Sequence, residues 1–114
     1  MHLKNFSLIT RKDKVEFSPA YDLINSTLVM GGAEEEMALM LAGKRKEFRY
    51  RELVTYLGVE KLGLTFKSIT SVLQNFEKNA ASWLELIDQS FLSEVSKKAY
   101  KDLLLNRLRR LQHK

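Results

Sequence analysis

The order of apolar and polar positions divides the chain into a short first part with a period of two and a longer second part with a helical period. Residues 5–10 and 15–19 are two short segments of alternating hydrophobicity, separated by the charged residues 11–14. Two such segments around a short polar break are typical of a β-hairpin. Pro19 has no backbone N–H to donate and favours extended geometry at Ser18, so we expect the second strand to end there. Residues 20–26 are expected to form a turn or a short helix.

After Gly31 and Gly32 the apolar spacing becomes about 3.6 residues, which predicts helices. The pattern predicts a short helix over residues 34–43, a second over about residues 50–62 that ends at Gly63, and a long third helix capped by Thr65. Ser93 is the predicted N-cap of a fourth helix. The buried stripe expected on the third helix consists of Phe66, Ile69, Val72, Leu73, Phe76, Ala80, Trp83, Leu84 and Ile87.

The predicted fold class is therefore α+β and predominantly helical, with a short N-terminal β-hairpin followed by about four packed helices. We expect a single domain over residues 1–114, in which residues 1–30 form the hairpin and a metal-binding segment and residues 31–114 form a helical bundle. A chain of 114 residues holds one modest core, which excludes a large multi-lobed enzyme as the whole of this chain.

Composition narrows the possible chemistry. The chain has no cysteine, which excludes disulfides, thiolate zinc sites and a cysteine nucleophile. No apolar run approaches the roughly 18–20 residues that cross a bilayer, and the N-terminus has no signal-like apolar stretch. We therefore expect a cytoplasmic protein with no membrane partner.

Basic residues outnumber acidic ones, giving a net charge of +5, and they concentrate in residues 44–51 and 97–114. The helix dipole favours cations near helix C-termini, so a solvated helix face accounts for both clusters. A nucleic-acid-binding module usually interleaves aromatic side chains with basic ones, and here only Phe48, Tyr50 and Tyr100 do so. We do not expect direct nucleic-acid binding, and a basic binder that uses residues 97–114 is the weakest of our functional hypotheses.

Several common catalytic motifs are absent from the sequence. A phosphate-binding P-loop fails because Ala38 stands where its first glycine is needed and Arg45 stands where Ser or Thr is needed after Gly43-Lys44. The chain has no Gly-x-Gly-x-x-Gly, His-Glu-x-x-His or Gly-x-Ser-x-Gly. The two histidines, His2 and His113, lie at opposite ends and are too few for a histidine metal site.

Two polar residues flank the predicted hairpin. Asn5 precedes its first strand and Asp22 follows its second, and a hairpin brings its two flanks together. An amide oxygen and a carboxylate are the hard ligands that Mg²⁺ uses in phosphoryl-transfer sites, where water and phosphate oxygens complete the shell. The alternative is structural: Asn5 is a turn residue, Asp22 caps a short helix, and His2 and Lys4 belong to a disordered terminus. From spacing alone we favour the structural roles.

A resemblance to a known family changes that preference. The two polar motifs read His2-Leu3-Lys4-Asn5-Phe6-Ser7 and Ser18-Pro19-Ala20-Tyr21-Asp22-Leu23. As a pair they resemble the catalytic-loop and metal-binding signatures of the HipA family of serine/threonine protein kinases. Residues 37–45 and 57–64 are also similar to that family's helical C-terminal lobe, so the resemblance covers essentially the whole chain.

The resemblance implies a role for each matching residue. Asn5 and Asp22 would bind the catalytic Mg²⁺, with Asp22 holding it against the ATP phosphates. His2 would steady the loop, and Lys4 would lie close to the transferred phosphate. The family writes the first motif as Asp-x-His-x-Lys-Asn, and its catalytic Asp would immediately precede Met1.

We therefore expect this chain alone to lack kinase activity and to bind neither Mg²⁺ nor ATP tightly, although both are cofactors of the complete kinase. The resemblance also implies a toxin of a toxin–antitoxin system. Its partners would be a HipB-like DNA-binding antitoxin, a substrate of the aminoacyl-tRNA synthetase type, and either the missing N-terminal kinase lobe or a second copy of the chain.

A second hypothesis of a different class is a non-catalytic helical interaction module derived from a kinase lobe. Without an N-terminal lobe, the hairpin would expose the apolar residues Phe6, Leu8, Val15 and Phe17. Apolar patches of this kind usually mark an interface. This hypothesis predicts self-association or a partner that is needed for solubility.

Overall fold

A computed structural model of the chain describes residues 5–32 and 35–112. Contacts divide the chain into two compact units, Met1–Lys46 and Glu47–Lys114. Among the described residues, the first unit contains an antiparallel hairpin and one short helix, and the second is helical. The α+β, predominantly helical fold class is confirmed. The assignment of residues 1–114 to a single domain stays a prediction.

The hairpin forms where the alternating pattern predicts it. Strand β1 (Leu8–Arg11) pairs antiparallel with β2 (Lys14–Phe17), and Leu8 lies opposite Phe17. Lys12 and Asp13 form the turn, and both have positive φ, as a two-residue hairpin turn requires. The turn is thus shorter than the charged break, because the outer two charged residues pair with each other. The second strand ends before Pro19, as expected.

Side chains on the two faces of the hairpin differ in character. Because side chains alternate along a strand, Leu8, Thr10, Val15 and Phe17 share one face. Leu8, Val15 and Phe17 are 64%, 67% and 73% exposed. We call these three residues the apolar hairpin face.

The rest of the first unit is mostly loop. Helix α1 (Ser26–Val29) is one turn long, and the Asn25 side chain caps it by accepting a hydrogen bond from the Leu28 N–H at 3.2 Å. The prediction of a helix over residues 34–43 is wrong, since residues 35–43 contain no helix. The backbone groups of this segment bond across a loop instead: the N–H groups of Glu36 and Met37 both donate to the Arg45 carbonyl.

The physical reason is that a helix of this length is marginal without packing for its apolar side. Leu39 and Met40 are exposed, so no apolar side is buried as a unit. Leu41 and Lys44 exchange two backbone hydrogen bonds, of 2.8 and 3.0 Å, around a tight turn. The Arg45 Nη1 donates to both carboxylate oxygens of Glu35, at 2.9 and 3.0 Å, and this contact closes the loop further.

Over residues 47–112 the second unit contains three helices, and the sequence predicts all three. They are a π-helix (Arg51–Lys61), helix α2 (Phe66–Gln89) and helix α3 (Glu94–Gln112). The hydrogen bonds of a π-helix span five residues rather than four, and the Leu62 N–H continues that spacing by donating to the Leu57 carbonyl at 3.0 Å.

The residues predicted to begin and end helices in the second unit are confirmed in those positions. Gly63 has a φ of +61°, a left-handed conformation common after a helix end, and its N–H donates to the Val59 carbonyl at 3.1 Å. The Thr65 hydroxyl accepts from the Ser68 N–H at 3.2 Å. The Ser93 hydroxyl makes the same contact at the start of α3, also at 3.2 Å.

Burial in the second unit is partial. Its buried apolar residues among those described are Phe48, Val54, Ile69 and Ile87. The prediction of a continuous buried stripe on α2 is therefore wrong in part, because Phe66, Val72 and Phe76 are exposed.

Helix α3 lies antiparallel to α2. Two side-chain contacts define this arrangement: an ion pair between Lys101 and Asp88, and a 3.2 Å hydrogen bond between Gln112 and Glu77. In that register α3 ends level with Glu77, so the first turns of α2 extend beyond it.

Within the described ranges, none of the helices combines the length and the hydropathy that a bilayer-spanning segment needs.

The role of Thr65 as the N-cap of α2 can be tested by measuring stability. Thr65→Ala removes the hydroxyl that satisfies the Ser68 N–H, and we expect a loss of about 1 kcal/mol in the free energy of unfolding. Thr65→Ser keeps the hydroxyl and serves as the matched control, with a stability close to that of the natural chain. Chemical denaturation followed by circular dichroism measures both. Equal stability of Thr65→Ala and the natural chain would contradict this role.

Candidate functional site

The candidate site lies in the first unit, at the open end of the hairpin. Asn5 precedes β1 and Asp22 follows β2, and the Asn5 Nδ2 donates a hydrogen bond to Asp22 Oδ2 at 2.8 Å. The two residues are 17 positions apart in the chain. The hairpin therefore brings together the amide and the carboxylate that the sequence analysis selected.

At this end of the hairpin, Ser7 and Ser18 form one further residue pair beyond the two strands. The Ser18 N–H donates to the Ser7 carbonyl at 2.8 Å, which continues the ladder beyond Leu8 and Phe17. The Ser7 hydroxyl donates to the Ser18 hydroxyl at 2.9 Å, and the Ser18 hydroxyl donates to the Pro19 carbonyl at 3.2 Å. Sequence reasoning gave this pair no role. The pair could have been found from the hairpin pairing, which places Ser7 directly opposite Ser18.

Asp22 has an unusual backbone conformation, with a φ of +54°. Residues other than glycine rarely adopt positive φ, and Asp and Asn tolerate it best. The alternative role of Asp22 as the cap of a short helix is wrong, because Asn25 caps α1. Asp22 instead presents an exposed carboxylate to Asn5.

A pocket of about 180 Å³ adjoins this pair. Residues 5–7 and 17–21 line it, so its wall comes from the two segments that flank the hairpin ladder. The aromatic residues Phe6, Phe17 and Tyr21 contribute to the lining, and all three are exposed. The pocket offers apolar surface directly beside the amide of Asn5.

The donor set fits a magnesium ion that is shared with a phosphate ligand. Mg²⁺ is usually bound by one or two carboxylates and completes its octahedral shell with water and substrate phosphates. Asp22 supplies a carboxylate, and the Asn5 amide carries an oxygen as well as the nitrogen that donates here. Within residues 5–32 and 35–112, no group of three His, Cys, Asp or Glu side chains could hold a metal ion. A cation held by these two side chains would therefore need water and phosphate oxygens for the rest of its shell.

His2 and Lys4 lie outside the described residues. Their supporting roles, which the resemblance implied, stay predictions.

Comparison with known protein families agrees with this arrangement. The HipA-like C-terminal domain family matches residues 1–94, which include the hairpin, the Asn5–Asp22 pair and all of α2. The chain belongs to this family. The match ends at Glu94, the first residue of α3. A search of curated proteins gives no significant match.

Proposed function

We propose that this chain is the C-terminal part of a HipA-like serine/threonine kinase toxin, in which Asn5 and Asp22 bind Mg²⁺ together with the phosphates of ATP. The single observation that carries the proposal is the 2.8 Å hydrogen bond between the Asn5 amide and the Asp22 carboxylate in a chain of this family. The hairpin accounts for the approach of the two segments, and this hydrogen bond brings the amide and the carboxylate into direct contact at an exposed site.

Asp22 and Asn5 contribute differently to cation binding because one side chain is charged and the other is neutral. Asp22 provides the negative charge that holds a divalent cation, and Asn5 provides a neutral oxygen that adds a ligand without adding charge. Bound Mg²⁺ neutralises the charge that develops on the transferred phosphate. Without a cation the Asn5 nitrogen faces the carboxylate, because two oxygens in contact would repel each other.

The other assignments extend the same proposal. His2 steadies the loop, and Lys4 lies close to the transferred phosphate. The N-terminal kinase lobe, a HipB-like antitoxin and a substrate of the aminoacyl-tRNA synthetase type are the partners, and the site of action is the cytoplasm. Family membership supports these assignments, and the Asn5–Asp22 geometry supports the cation site alone.

Metal binding tests the proposal in residues 1–114, where we expect the affinity for Mg²⁺ and ATP to be weak. Mn²⁺, a paramagnetic substitute for Mg²⁺, is added in the presence of ATP, and its broadening of backbone amide NMR signals is recorded. We expect broadening centred on Asn5 and on residues 18–22. Asp22→Asn keeps a residue that tolerates positive φ but removes the charge, so we expect the Mn²⁺ affinity to fall by about tenfold or more.

Asp13 offers a matched control for this experiment. It is an aspartate with a φ of +63° at the turn of the same hairpin, so Asp13→Asn makes the same charge change in the same backbone conformation. We expect it to leave the broadening pattern in place. Equal binding by Asp22→Asn and the natural chain, or broadening spread over all exposed carboxylates, would contradict the proposed site.

A second candidate function is supported by the apolar hairpin face. Its three residues are exposed on one side of a two-stranded sheet. Burying each side chain fully is worth roughly 1.5–3 kcal/mol, which favours covering this face with another protein surface. We propose a non-catalytic interaction module as the alternative function, with a second copy of the chain as the partner to be tested.

Sedimentation equilibrium tests this alternative. We expect the apparent mass of the natural chain to rise with concentration, and we expect Phe17→Ser to shift it towards the monomer because the substitution removes an exposed aromatic ring from the apolar hairpin face. Glu16→Gln changes the neighbouring residue on the opposite face and serves as the control, with association unchanged. A natural chain that stays monomeric at every concentration and binds no apolar dye would contradict this function.

A further inference from the structure

Two serine hydroxyls lie between the hairpin ladder and the Asn5–Asp22 pair. Ser7 is the last residue before β1, and Ser18 is the first residue after β2. Their side chains meet at 2.9 Å. In an antiparallel ladder, directly opposed side chains such as these are the nearest cross-strand neighbours.

The hydrogen bonds of the two hydroxyls run in one direction. Ser7 Oγ donates to Ser18 Oγ, and Ser18 Oγ donates to the Pro19 carbonyl oxygen at 3.2 Å. A hydroxyl has a single proton to donate, so both donors are used in this chain of contacts. The start of β1 is thereby connected to the backbone that leads from β2 towards Asp22.

We propose that Ser7 and Ser18 are positioning residues that hold Asn5 and Asp22 at the separation needed to share a cation. The inference rests on the proposed cation site. The proline ring fixes φ at Pro19, and the Ser18 hydroxyl fixes the Pro19 carbonyl, so the chain leaves the hairpin in one direction. On the other strand, Ser7 is two residues from Asn5 and anchors the segment that carries the amide.

The hairpin itself does not depend on these hydroxyls. Its four residue pairs and the backbone bond from the Ser18 N–H to the Ser7 carbonyl remain when the side chains are shortened. Loss of a hydroxyl therefore acts on the segments beyond the ladder, which are then held together by fewer contacts. The Ser18 hydroxyl takes part in two contacts and the Ser7 hydroxyl in one, so we expect the Ser18 substitution to have the larger effect.

The primary experiment measures the Asn5–Asp22 contact without metal. The side-chain amide signals of Asn5, assigned by their loss in Asn5→Ala, are recorded by NMR in the natural chain and in Ser7→Ala, Ser18→Ala and Ser18→Thr. We expect the signals to move towards those of a solvated asparagine in Ser7→Ala and further in Ser18→Ala. Ser18→Thr keeps the hydroxyl, and a branched residue suits the extended geometry before proline, so it should restore the natural positions.

Ser96→Ala is the matched control. It removes one partner of the 3.0 Å contact between the Ser93 and Ser96 hydroxyls in the second unit. We expect it to leave the Asn5 signals unchanged. Cross-strand contacts between Leu8 and Phe17 show that each variant keeps its hairpin.

The second readout is Mn²⁺ affinity, which we expect to fall about threefold in Ser7→Ala and about tenfold in Ser18→Ala. Unchanged Asn5 signals in both alanine variants would overturn the inference, as would a Ser18→Thr variant that behaves like Ser18→Ala. If the natural chain binds no Mn²⁺ while the metal-free Asn5 signals respond as expected, the proposed cation site fails and the positioning role of the serines stands.

Discussion

The antiparallel pairing of two four-residue strands is the constraint on which the first unit depends. Its register places Ser7 opposite Ser18 and thereby delivers Asn5 and Asp22 to the same end of the ladder. A shift of one residue would turn every side chain to the other face of the sheet. The same register decides which residues are functional candidates at the open end and which form the apolar hairpin face.

Helix caps and helix ends, which depend on residues close together in the chain, were predicted correctly from the sequence. Thr65, Ser93 and Gly63 each contact backbone groups three or four positions away, and the structure confirms all three. The helix expected over residues 34–43 was wrong because its apolar run had no surface to pack against, and packing rather than propensity stabilises most helices. The stripe on α2 was overestimated for a related reason: periodicity reveals an apolar side, but the positions of the neighbouring helices determine how much of it is covered. Ile69 is buried because its side chain lies against Gly58 of the π-helix, whereas Phe66 and Val72 are exposed.

The candidate site was predictable only in part. A hairpin prediction suffices to bring its flanks together, so the meeting of Asn5 and Asp22 follows from topology once the strands are recognised. The left-handed backbone of Asp22 and the direction of the Ser7 and Ser18 hydrogen bonds depend on individual torsions, which residue types do not determine. Membership of the HipA-like C-terminal domain family supports the proposal that the amide–carboxylate pair binds a cation.

The central claim is that Asn5 and Asp22 together hold a divalent cation. A crystal structure of the chain grown with Mn²⁺ and ATP tests it most directly, because the anomalous signal of manganese locates the ion independently of the protein atoms. The account predicts one strong peak with an Asp22 carboxylate oxygen and the Asn5 amide oxygen both at about 2.1 Å, close to the Mg²⁺ ligand distance. Manganese bound elsewhere, with the Asn5 nitrogen still donating to Asp22, would contradict it.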